Sequence, residues 1–388
     1  MKSAYNQTWL HNLQISKEAN QWCRSKFISK EQFTAIAAAY KCEFYHPNFL
    51  IRILLFIATV IALTGVTGLL TLMIIEANES VISTMALLYG IGSFFLLDQF
   101  FISNNKHYKS GVTEALLYHA SGFVIGGVAG LSHFNEDIIM VCCLIVFAFA
   151  AFRYLDLLST IAAFGCFGYF VFSQFYNMGG VMQQLIPLAF IIVFTPIYFV
   201  LIKIKKLERL DPWLDCIIIV ECLSLLTIYV AGNYLVVREL SVNLMSLDVV
   251  PGEDIPLAFV FYVLTVAIPA LYLVMGIRNK DIILLRVSLI ALAFSVFTFK
   301  YYYSLGHPEI TFTISGILLL AISIGLFKYL QTPKNGFSRE NLLKEKWAEM
   351  NPEAIIISQT MGGNQVVVDD AFHGGGGTFG GGGTTGSY

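Results

Sequence analysis

Apolar residues along this chain gather into runs of about 20 divided by short polar clusters, the length a helix needs to cross a hydrocarbon layer about 30 Å thick. The runs lie near residues 50–75, 81–103, 112–131, 138–152, 155–175, 183–203, 213–236, 257–277, 281–299 and 309–330. They predict an all-α polytopic membrane protein with about ten transmembrane helices. Only Arg153, Tyr154 and Asp156 mark a turn between the fourth run and the fifth. Merging those two would leave nine spans and reverse every later one.

Composition agrees with a bilayer as the main solvent. Of 388 residues, 56% are hydrophobic and 13% charged, with a mean hydropathy of +0.70. A soluble domain carries roughly 25% charged residues. A net charge of -2 offers no basic surface for nucleic acid. The polar start MKSAYNQTWLHNLQ predicts no cleavable signal peptide. The seven cysteines, at 23, 42, 142, 143, 166, 216 and 222, show no CxxC spacing and read as reduced core residues, not disulfides or metal ligands.

The distribution of bases favours ten spans over nine, because Lys and Arg collect in short cytoplasmic loops. Ten spans place on one side Lys2, Lys17, Arg24, Lys26, Lys30, Lys41 and Arg52, then Lys106, Lys109 and Arg153. The same side takes Lys203, Lys205, Lys206, Arg209, Arg278 and Lys280, and finally Lys328, Lys334, Arg339, Lys344 and Lys346. The opposite side keeps Arg238 and Lys300, while its loops carry Glu76, Glu79, Glu136, Asp137, Glu239, Asp248, Glu253 and Asp254. Both termini are therefore expected in the cytoplasm of a bacterial cell, with the bundle in the inner membrane.

Residues 1–49 read as a cytosolic helical hairpin docked at the membrane surface. Ala19, Trp22, Cys23 and Lys26 share one helical stripe; Phe33, Ile36, Ala37 and Tyr40 share another. Ser29 and Gln32 form a capping box, with Ile28 stapled on Phe33. His46-Pro47-Asn48 ends the hairpin and leads into the bundle, 50–331. Beyond it, residues 332–373 hold an amphipathic helix capped by Ser338, with Leu342, Leu343, Trp347 and Met350 on its apolar side. A β-hairpin of AIIIS and QVVV around Met361–Asn364 follows. The Gly-rich stretch 374–388 is expected to be disordered.

The segment FISKEQFTAIAAAY, with the Arg52-led span RILLFIATVIALTGVTGLL, resembles the bacterial predicted membrane proteins grouped as domain of unknown function family 2157. There a cytosolic helix of the type G-x-I-S-x-E-Q precedes a bundle of membrane helices. The resemblance covers about the first 75 residues, and Lys26-Phe27 stands where the family usually has a glycine. It implies that architecture and no reaction.

Charges inside the runs mark the candidate site, since each costs at least about 2.5 to 3.5 kcal/mol at a helix centre unless paired or hydrated. They are Asp98, Glu114, Asp215, Glu221 and Arg286, all in the cytoplasmic half of ten spans. Glu221 lies about 12 Å below the span start at Trp213, too deep for its side chain to reach the interface. Arg286 is expected to neutralise Glu221 or Asp98. The group reads either as a structural ion-pair network or as a polar site for a substrate or proton, reached from the cytoplasm. Glu114, Tyr118 and His119 fall close together on one helix, either as a proton relay or with His119 as a helix-to-helix hydrogen bond.

Enzyme signatures such as GxxxxGK[ST], HExxH and GxSxG are missing, so no catalytic residue, metal or cofactor is assigned. Transport or sensing through the polar site is one functional reading. The other is a membrane scaffold that recruits a protein partner through its cytosolic termini.

Overall fold

The computed structural model describes residues 3–25, 27–74, 76–243, 254–255, 257–303 and single positions between 313 and 328. Two helices open the chain, α1 (Gln7–Arg24) and α2 (Lys30–Ala39). Asn6 caps α1 by accepting from the amides of Thr8 and Trp9. Ser29 Oγ accepts from Gln32 N at 3.2 Å while Ser29 N donates to Gln32 Oε1 at 2.9 Å, the expected capping box. Of the stripe expected on α1, Ala19 is buried, Cys23 is half-buried and Trp22 is exposed, while Lys26 lies outside the described residues; the other buried side chain is Leu13, which packs at the bundle end.

Among the described residues, nine helices are long and apolar enough to cross a membrane, and the chain is an α-helical multi-pass membrane protein. They are α3 (Phe49–Ile74), α4 (Glu79–Leu96) with its π-helical continuation Leu97–Asn104, α5 (Val112–Leu131), α6 (Glu136–Tyr154) and α7 (Leu157–Met178). After the short α8 (Gly180–Gln184) come α9 (Ile186–Ile204) and α10 (Leu214–Gly232), the latter entered by a 3-10 turn at Glu208–Trp213. Then α11 (Tyr234–Asn243) precedes α12 (Ala258–Asn279) and α13 (Ile282–Tyr303). Positions 313, 316, 317, 320, 321, 324, 325 and 328 of the tenth run are helical. The rest of that run, the amphipathic helix, the β-hairpin and the Gly-rich tail lie outside the described residues.

The fourth and fifth runs are separate helices. Leu155 takes the left-handed conformation (φ 55°, ψ 37°) and closes α6, and Asp156 opens α7 by accepting from Ser159 N at 2.7 Å. Two residues thus reverse the chain, with no glycine needed.

The N-terminal segment and three of the turns meet at one end of the bundle. Ala4 N donates to Arg153 O at 2.8 Å. Tyr45 pairs with the turn after α4, its N donating to Lys106 O at 2.9 Å and its O accepting from Tyr108 N at 3.0 Å. Trp213 Nε1 reaches Phe152 O at 2.9 Å. An even number of crossings must separate these points, as the base distribution requires.

The spans pack around two centres. One is α5, against α3, α4 and α6; the other is α10, against α7, α9, α12 and α13. Small residues let α4 and α5 approach closely: a Cβ on Gly127 would stand 2.6 Å from Leu87 N, and one on Gly130 would stand 2.0 Å from Ser83 Oγ. Helix α3 has no buried residue, so most of its surface is left for lipid.

Candidate functional site

Glu114 and the first turn of α5 anchor a polar pocket under the N-terminal segment. Gly111 (φ +90°) lies so close to α3 that a Cβ there would stand 2.1 Å from Arg52 O. The approach brings Arg52 Nη2 to Glu114 Oε1 at 2.6 Å. Glu114 Oε2 accepts from Gly111 N and Thr113 Oγ1, both at 2.8 Å. A carboxylate that is 7% exposed is thereby held by a cation, a hydroxyl and a free amide at a helix N-terminus.

Beside it lies a small cavity, about 10 Å³, room for the centre of one water. Its polar lining comes from Tyr5, Lys109, Thr113, Glu114, Tyr154 and Asp156. Asp156 accepts from Tyr118 OH at 3.0 Å as well as capping α7. Tyr5 reaches over the cavity from the N-terminal segment and packs edge-on against Tyr108 (4.9 Å) and Phe44 (5.9 Å). Burial pushes the phenols of Tyr5 and Tyr108 above the ordinary range. Burial also opposes the charge on Lys109, but Tyr108 and Asp215 beside it outweigh that and hold the ammonium above its usual value.

Asp98 sits at the start of the π-helical segment, where Ser103 Oγ donates to the Asp98 carbonyl at 2.8 Å. A π segment opens the backbone ladder and recurs at functional positions. Arg153 Nη2 meets Asp98 Oδ2 at 2.5 Å. Asp98 Oδ1 is buried with no hydrogen-bond partner among the described residues.

The structure distributes the six sequence candidates over three places. Asp98, Glu114 and Asp215 gather at the end covered by the N-terminal segment, with Asp215 close enough for its charge to act on Lys109. Glu221 is fully buried in the second helix group, and Lys205 Nζ lies 3.4 Å from its Oε2. Arg286 is exposed on α13, and its charge reaches Cys222 next to Glu221. Arg286 is the sequence-expected partner of Asp98 or Glu221; the structure brings Arg153 to Asp98 and Lys205 to Glu221.

His119 stands apart, bonded through Nε2 to Tyr89 OH at 3.2 Å across the α4–α5 contact. Glu114, Tyr118 and His119 therefore bond to Arg52, Asp156 and Tyr89, three separate partners. The His119–Tyr89 contact is the helix-to-helix bond expected of His119.

Sequence reasoning misses Tyr5, Arg52, Lys109, Arg153, Asp156 and Lys205 as site residues. Four of these are bases counted as markers of the cytoplasmic side. Their signal was present as topology, since a base at a span end lies within one side chain's reach of an acid in the adjoining helical turns. Among the described residues, no group of three or more His, Cys, Asp or Glu is placed to hold a metal ion. Compared with protein-family models, curated proteins and solved structures, the chain matches none.

Proposed function

We propose that this membrane protein works as a transporter or a sensor that admits a small polar solute or ion to the Glu114–Asp156 pocket when the N-terminal segment lifts. The observation that carries this reading is Tyr5, which belongs to the segment preceding the bundle and yet lines the cavity between span residues Glu114 and Tyr154. Removing the segment exposes paired charges without breaking any span. The clasp that holds it is polar and reversible. Glu43 pairs with Lys106, Lys106 Nζ lies 4.9 Å from the Trp9 ring, and Tyr45 bridges to His107.

We take the pocket side as cytoplasmic from the base distribution; on that reading both termini lie inside, and the membrane we propose is a bacterial inner membrane. The resemblance to domain of unknown function family 2157 supports the pairing of hairpin and bundle and adds no reaction.

The test uses Leu117→Cys, a buried position on the cavity wall. In the full-length protein, a membrane-impermeant maleimide should label the introduced thiol, with the site read by mass spectrometry. Labelling should fall when cysteines at 45 and 107 are cross-linked and recover on reduction. Equal labelling in locked and unlocked protein would remove the gate. Solute flux in liposomes then separates transport from sensing.

A second reading, a scaffold, is favoured by α2, which has no buried residue and lies beside exposed Trp22, Phe27 and Tyr40. Deleting residues 30–39 should then abolish binding of a protein partner while leaving maleimide labelling of the Leu117→Cys variant unchanged.

A further inference from the structure

The second helix group holds a polar centre independent of the pocket under Tyr5. Glu221 on α10 has no exposed surface. It lies about 10 Å along α10 from Leu214, and Tyr198 lies about 9 Å along α9 from its end at Ile204. The two helices are antiparallel neighbours, so both side chains sit at one depth. Ser224 follows Glu221 by one turn on the same face.

Tyr198 OH and Ser224 Oγ are buried, at 4% and 0% exposure, and neither has a hydrogen-bond partner among the described residues. A buried serine in a helix ordinarily bonds a carbonyl of the preceding turn, as Thr265 does here with Phe261 O at 2.7 Å. Ser224 does not. The neighbouring hydroxyl of Tyr272 is already used, donating to Leu225 O at 3.1 Å.

The cation that meets Glu221 is held loosely. Lys205 Nζ stands 3.4 Å from Oε2, against about 2.7–2.9 Å for a tight charge-assisted bond. Its side chain is 25% exposed and follows the last residue of α9, so it can reach the interface. A buried carboxylate, two unused hydroxyls and a displaceable ammonium are the parts of an exchange site.

We propose that this centre binds a small monovalent cation of the sodium class, through Glu221, Ser224 and Tyr198, in exchange for Lys205. Oxygen donors suit a hard cation. One positive charge replaces another, so exchange with Lys205 conserves the centre's net charge. The titratable groups within electrostatic reach of the centre are Tyr198 and Lys205 from α9, Cys222 on α10, Tyr272 from α12, Asp281 in the following turn and the exposed Arg286 on α13. From α7 come the apolar Phe164 and Phe167.

The experiment follows thermal unfolding of full-length protein in lipid nanodiscs as choline chloride is replaced by sodium chloride at constant ionic strength. The midpoint should rise saturably with sodium. Ser224→Ala and Tyr198→Phe should each raise the half-saturating concentration about tenfold, the loss of one oxygen ligand. Lys205→Met should lower the midpoint in choline and shift saturation to lower sodium. Glu221→Gln should abolish the response, and should it fail to fold, the Ser224→Ala/Tyr198→Phe pair serves in its place. Coincident sodium and choline curves in both the unsubstituted protein and Lys205→Met overturn the proposal. So does a sodium response that survives Glu221→Gln or the double hydroxyl variant, or a midpoint that follows pH alone. None of these readouts depends on whether the N-terminal segment lifts.

Discussion

Replacing Gly111 by alanine tests the contact on which the Glu114 pocket is built. The new Cβ would stand 2.1 Å from Arg52 O and 2.9 Å from Phe56 N, where ordinary contacts begin at 3.4 Å. Both neighbours are backbone atoms of α3, so no side chain can swing aside. The turn and α3 must part by about 1.3 Å, which carries the 2.6 Å Arg52–Glu114 contact out to about 3.9 Å, beyond hydrogen-bond range. At φ +90° the alanine itself costs about 1–2 kcal/mol. Loosening the ion pair adds about 1–2 kcal/mol, less than for a fully buried pair because Arg52 is 35% exposed. The expected loss is about 2–4 kcal/mol. The assay is reversible unfolding in one detergent, with Gly122→Ala and Gly126→Ala on the same helix as controls. A Cβ at either meets nothing within 4 Å, so these should be neutral or stabilising by up to about 1 kcal/mol. If Gly111→Ala is as stable as the two controls, the close approach of α3 and the pocket argument built on it are wrong.

Two further outcomes follow from charges at the same end. Burial holds the imidazoles of His46 and His107 below the ordinary 6.5; the released or unfolded segment therefore binds more protons than the docked one as pH falls below that value. Docking should be full above about pH 6.5 and weaken through the window beneath it. Hydrogen exchange of residues 7–48 should thus quicken in that window in the full-length protein, and pH-independent protection would count against the histidine clasp. Separately, Arg52→Met leaves Glu114 buried without its cation and should cost about 3 kcal/mol, while Arg52→Met with Glu114→Gln, which removes the charge and keeps an acceptor for Gly111 N and Thr113 Oγ1, should recover most of it. Equal unfolding midpoints for the single and double variants would show that the pair is not the cause.

The bases of this chain serve two purposes with one physical origin. A Lys or Arg at a span end cannot enter hydrocarbon, yet its long stem lets the charge bend toward an acid within the adjoining turns. Arg52, Arg153 and Lys205 each do this, for Glu114, Asp98 and Glu221. Each acid lies in the half of its span nearest that base-rich end, so the depth estimated from sequence sets which acids the bases can reach.

What the sequence determined by itself is local or one-dimensional. Run length against bilayer thickness located nine spans now described, and the Ser29–Gln32 box was legible because both partners lie within one turn. The reversal at Leu155–Asp156 was legible as a polar interruption and as a change of side for the bases, although nothing in the residues announced a left-handed leucine. Depth along a helix axis identified Asp98, Glu114, Asp215 and Glu221 without any knowledge of neighbours. Partners were another matter. Glu114 and Arg52 are 62 residues apart and Asp98 and Arg153 are 55 apart, and hydropathy records how deep a residue lies but not which way its helix is turned. Tertiary structure alone decided that rotation. It set Lys205 beside the deepest acid, turned His119 to Tyr89, and folded Tyr5 over the cavity, because close packing of small residues and a single backbone approach at Gly111 fix helix rotation in a way no periodicity expresses.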